Sequence, residues 1–208
     1  MNRRLLLSLL GLSPLVLISS KIPNQDNVLI LNMIKRWRQS KEYTLAVLES
    51  MPAEQLEYAP SDAQMSFVQH FMHLGLVNNF YFGILTDAKT YPTVQELLQA
   101  DFLIPRPDPI NLFQPDILQE RDSLVNQTLV QKYVSETFDY VLSCLETMND
   151  SVLTQGLEKV KPGFLTAHSN LDLILRGDSH TAHHRAQAVG YLRLKGIRPP
   201  GYTKYHTF

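Results

Sequence analysis

Cysteine is almost missing from this chain of 208 residues: Cys144 stands alone. No internal disulfide can form, and a cysteine-rich metal cluster is excluded. A surplus of either charge is missing too. The formal net charge is −1, which leaves no basic footprint for nucleic acid and nothing to draw the chain to an anionic membrane surface. There is no uninterrupted apolar run of the roughly 20 residues that a bilayer span needs. Strand-like alternation, internal repeats and low-complexity tracts are likewise absent. Histidine, in contrast, is plentiful, with seven residues. If a metal binds here, imidazole and carboxylate must hold it.

The length suits one compact domain and is short for two. The first twenty residues stand apart. Met1-Asn2-Arg3-Arg4 is a short basic start, Leu5 to Ile18 is an apolar stretch broken by Ser8, Gly11, Ser13 and Pro14, and Ser19 and Ser20 close it with small residues. That order reads as a secretory signal, and Arg3-Arg4 also allows a twin-arginine signal. The expectation is a signal-like segment over 1–20, a single helix-bundle domain over 21–208 and export to the periplasm, with a cytoplasmic location as the alternative.

Four long helical segments follow from the spacing of apolar residues. The first runs from about Asn27 to Ser50, with Val28, Leu31, Ile34, Leu45 and Leu48 recurring at three and four, and Met51-Pro52 ends it. The second, from about Ala63 or Ser66 to Leu85, is apolar on most sides and should be deeply buried. Val94 to Leu98 could form a short helix, whereas Pro105, Pro107 and Pro109 force an extended loop. The third segment is expected over Leu118 to Met148, its better half opening at Thr128 with Gln131 as a capping box. The fourth spans about Ser169 to Lys195, with Gly196 where a C-terminal cap belongs and Pro199-Pro200 beyond. Four long helices and no strands imply an all-α four-helix bundle.

Five of the seven histidines fall on two of these helices: His70 and His73 on the second, His180, His183 and His184 on the fourth. At about 100° per residue, positions four apart lie about 40° apart in projection, so His180 and His184 point the same way. A helix offers two imidazoles to one metal at this spacing, as in His-Glu-x-x-His helices. The glutamate of that motif is missing here, so the protease reading fails. His183 lies about 60° from His180 and 100° from His184 and is better placed behind the ligands or at the surface. A third donor must come from the second helix, where helical phase leaves both His70 and His73 open.

The stretch His180-Thr-Ala-His183-His184-Arg185-Ala-Gln187, continuing through Tyr191-Leu192-Arg193 to Gly196-Ile197-Arg198-Pro199-Pro200, resembles the His-x-x-His-His-Arg-Gly-Gln helix of the DinB/YfiT-like superfamily and the loop after it. Ser66-Phe67-Val68-Gln69-His70-Phe71-Met72-His73 is similar to the opening of that family's second helix, where a ligand histidine follows one or two turns after a serine. Counting seven from Ser66 lands on His73, and Asn78-Asn79-Phe80-Tyr81-Phe82 and Phe138-Asp139-Tyr140 also fit, so the resemblance covers most of residues 24–202. Ala186 stands where the family usually has glycine, and His70 and His183 add competing imidazoles.

The resemblance implies one divalent ion (zinc, nickel, manganese or iron) between the second and fourth helices, held by His73, His180 and His184 with water in the open positions. Gln187, Arg185, His183 and His70 become candidates to hydrogen-bond the ligands or touch substrate. Characterised relatives imply a metal-dependent transferase or hydrolase acting through a bound thiol or water, with a low-molecular-weight thiol or an ester as substrate. A metal-binding, stress-related interaction protein without catalysis is the alternative. A homodimer is compatible with this reading, and no catalytic residue is assigned.

Overall fold

The structure is a computed structural model, and it describes residues 27–156 and 161–206. The signal-like segment over 1–20 lies outside the described residues. Among the described residues there are seven α-helices and no strand: α1 (Val28–Glu49), α2 (Phe67–Thr86), α3 (Val94–Leu97), α4 (Ser123–Glu146), α5 (Asp150–Leu153), α6 (Asn170–Leu194) and α7 (Tyr202–His206). α1, α2, α4 and α6 correspond to the four expected segments. α1 and α2 each pack against both α4 and α6, which makes an all-α bundle, and α7 folds back on α1. Among the described residues no helix is long and apolar enough to cross a membrane.

The ends of the helices follow local chemistry. Ser66 caps α2 in a full capping box with Gln69, and Gln69 Nε2 also donates to the carbonyls of Asn111 and Gln114, which pins the proline-rich loop to the start of α2. α1 has no cap of its own. Asp150 of α5 supplies one, accepting from Leu29 N and Ile30 N at 2.9 Å each. α6 ends in a Schellman motif: Gly196 takes φ 73°, its N–H donates to Arg193 O, and Ile197 N donates to Leu192 O. One expectation is corrected. The third long helix starts at Ser123, capped by Asp122, and Leu118 lies in the preceding loop with its N–H held by Glu57. Thr128 therefore sits inside the helix, where its hydroxyl bonds back to Leu124 O instead of opening a capping box.

α2 is the central element. From Phe67 to Ile84 every residue is buried, so its apolar residues face both neighbours. Two glycines set how closely these neighbours approach. A Cβ at Gly75 would lie 2.9 Å from the Tyr133 ring of α4, and one at Gly177 of α6 would lie 3.3 Å from Tyr81 of α2. Thr181 adds a buried polar tie, its hydroxyl donating to Asn78 Oδ1 at 3.1 Å. Gly177 and Thr181 fall on either side of His180, so the backbones of α2 and α6 are fixed where the histidines meet. The aromatic core lies on the other side: Trp37 of α1 is fully buried, with Phe82 edge-on at 5.1 Å and Phe138 at 5.9 Å.

Candidate metal centre

Four imidazoles meet between α2 and α6. The ring centroids of His73, His180 and His184 lie 4.5 to 5.0 Å apart, and one nitrogen from each falls within 4.8 Å of the others. His73 Nε2 and His180 Nε2 face each other at 3.1 Å. His70 joins from behind, its Nδ1 3.0 Å from His184 Nδ1. This leaves Nε2 as the nitrogen His184 can offer to an ion. His70 and His73 both come close to α6, but they play different parts in the geometry. His73 sits among the three converging rings, and His70 supports one of them.

The cluster is built to be neutral. Burial pushes His70 and His180 down to about 4 and His184 down to about 2, and the neighbouring imidazoles push in the same direction. His73 is lowered by burial as well, with the Leu112 backbone carbonyl acting against the shift. Neutral rings present lone pairs, and two facing nitrogens 3.1 Å apart leave one lone pair unmatched unless a proton or a cation lies between them. Two nitrogens bound to a tetrahedral zinc ion at 2.0–2.1 Å would be about 3.3 Å apart. The donor set therefore fits a divalent ion. His180 Nδ1 and His70 Nε2 are buried and have no hydrogen-bond partner among the described residues.

The other expected residues separate by helix face. His183 is exposed, with its ring edge-on to His184 at 5.0 Å and its Nε2 2.8 Å from Gln187 Nε2. Gln187 thus reaches His183 and none of the three converging rings. Arg185 turns to the opposite side of α6 and is only 6% exposed. Its Nη1 donates to Ser40 O, Ser40 Oγ and Thr44 Oγ1 of α1. A cavity of about 440 Å³ opens beside the cluster, lined by Gln64, Met65, His70, Gln187 and Tyr191 among others. His70 stands between this cavity and His184, and none of the three converging histidines lines it.

Sequence reasoning missed Phe113, whose ring meets His73 edge-on at 5.4 Å from the proline-rich loop. That loop has no periodicity to read. Its only signal was the Ser66–Gln69 box, which gives no hint that the Gln69 amide also holds the loop.

No curated protein matches the chain. A family model, that of the DinB superfamily, matches residues 36–188, from within α1 to within α6 and across all four clustered histidines. The chain belongs to the DinB superfamily.

Proposed function

We propose that His73, His180 and His184 bind one divalent metal ion, and that the protein is a metal-dependent transferase or hydrolase acting on a small thiol or ester. The supporting observation is the set of three converging imidazoles, His73 and His184 buried and His180 half-buried, each held toward its neutral form by burial. A three-histidine site leaves positions free, as catalytic zinc sites do. In such a site the ion acidifies a thiol or water and polarises a carbonyl. The residues of this chain would supply the rest. His70 holds the His184 ring from behind, fixing which nitrogen faces the ion. Phe113 meets His73 edge-on from the proline-rich loop. Gln187 and His70 offer polar groups to a molecule in the adjoining cavity.

The test is elemental analysis of untagged protein. Close to one metal per chain is expected, lost in both His73→Ala and His184→Ala. Full retention in both variants would sink the proposal. A screen of thiol and ester substrates follows. If residues 1–20 direct export, the protein works where conditions are oxidising and cytosolic thiols are scarce, and hydrolysis becomes the better reading than thiol transfer. Fractionation of cells expressing the full chain decides this, since recovery only in the cytosol, uncleaved, removes the objection.

One observation favours the alternative of a metal-binding interaction protein. Among the described residues the cluster of potential metal donors consists of histidines alone, with no carboxylate in it to serve as a general base. Metal binding without turnover across the substrate screen would support that reading.

A further inference from the structure

On the face of α6 turned away from the histidines, Arg185 is buried among neutral partners. Its three hydrogen bonds all use Nη1 and end on hydroxyl or carbonyl oxygens of Ser40 and Thr44. The Tyr43 ring lies under the guanidinium at 4.8 Å. Nε and Nη2 reach no acceptor among the described residues. The nearby carboxylate, Asp178, is already bound by Arg36, at 2.9 Å through Nε and 2.6 Å through Nη2. An arginine cannot shed its charge as a histidine can. A buried cation without a bound anion is costly.

Arg185 also lines a cavity of about 200 Å³ with Tyr43, Ala182, Ala186, Val189, Arg193 and Tyr202. Arg193 lies eight residues beyond Arg185, just over two helical turns and about 80° round the helix, and both line the cavity, Arg185 buried and Arg193 exposed. The walls between them are alanine, valine and tyrosine rings.

We propose that this cavity is a binding site for an oxyanion carried on a small apolar body, such as a short-chain carboxylate, separate from the histidine cluster. The free donors of Arg185 take the oxyanion, Arg193 closes over it, and the apolar walls take the hydrocarbon. Guanidinium groups suit such anions because their planar donors match two oxygens at once.

The experiment titrates butyrate, with acetate and chloride as controls, into the purified full-length protein at constant ionic strength and follows binding by calorimetry. Saturable binding with butyrate tighter than acetate is expected. Arg193→Gln should weaken it by about five-fold, the effect of one partly exposed ion pair, and Arg193→Lys should restore part of it. Because Arg193 is exposed, the unliganded melting temperature should not move. His180→Ala should leave butyrate binding intact. Absence of saturable binding, binding unchanged in Arg193→Gln, or binding lost in His180→Ala would each overturn the proposal, the last by placing the carboxylate at the histidines.

Discussion

The two faces of α6 solve one problem in opposite ways. Toward α2 it presents His180 and His184, and toward α1 it presents Arg185. Each face brings nitrogen-rich side chains into the interior, where charge is expensive. The imidazoles respond by giving up their protons, with His184 pushed down to about 2. What remains is a set of lone pairs suited to a cation. The guanidinium has no neutral state within reach, so it gathers hydroxyl and carbonyl oxygens and keeps its charge. One helix can therefore carry an electron-rich face and an electron-poor face a few residues apart.

The largest effect that would test this contrast is on metal content. His184→Ala removes a donor from the centre of the cluster and should drop bound metal from near one per chain to near zero. Arg185→Met, one residue away on the opposite face, should leave it unchanged in the protein that folds. Equal losses in the two variants would show that the faces are not independent. Arg185→Met has its own cost, since it removes three hydrogen bonds made by a charged group. Destabilisation of roughly 2–3 kcal/mol is expected, read as a melting temperature lower by roughly 5–10 °C.

Those two side chains were not equally legible in the sequence. The pairing of His180 with His184 follows from a spacing of four on a helix. The direction of Arg185 does not, because a helix has several buried sides in a bundle and the sequence does not say which neighbour each one meets. The same limit applied on α2. Phase left His70 and His73 open, since that helix is buried all round and offers no polar face to set its rotation. The family resemblance points to His73, and the packed helices show how the two differ: His73 converges with His180 while His70 supports His184. The long helices were legible because their periodicity and capping residues act locally. The start of α4 is expected from the sequence at Leu118, upstream of Ser123, because the cap that sets it, Asp122, goes unread while Thr128 and Gln131 read as the capping pattern.

Acid should separate the faces next. In metal-free protein an unfolded histidine takes a proton near 6.5, whereas folded His70 and His180 hold out until about 4. Between these values the unfolded state binds more protons, so the contribution of these rings is complete above about pH 6.5 and is lost as pH falls toward 4. The arginine face stays charged throughout and adds no slope. Urea midpoints measured with a chelator should fall from pH 7 to pH 5, and His70→Gln should flatten the fall. A midpoint constant over that range would break the assignment of neutral imidazoles.

A smaller effect is expected at Gly177, which lies one turn before His180 and faces Tyr81 and Trp37. An alanine there would bring its Cβ to 3.3 Å from Tyr81, tighter than ordinary packing. The Tyr81 ring can shift by a few tenths of an ångström, so a loss of about 1 kcal/mol is expected, near the low end for overpacking. That shift would part α2 and α6 beside the cluster, and metal affinity should weaken while butyrate binding at Arg185 does not. If both fell together, α6 would be moving as a rigid whole and the two sites would be coupled through it.

The smallest effect should come from His183→Ala. His183 sits next to His184 in sequence, yet it is exposed and its only polar contact among the described residues is Gln187. Removing an exposed side chain usually changes stability by less than about 0.5 kcal/mol. Metal content should stay near one per chain, because the three converging nitrogens do not include His183. The ring is nonetheless close, edge-on to His184 at 5.0 Å, and a change of rotamer could carry it toward the cluster. Metal content in this variant therefore decides which side of α6 the ion uses. A loss as deep as that of His184→Ala would move the centre outward, toward His183 and Gln187, and would place the ion on an exposed edge of α6 instead of between α2 and α6.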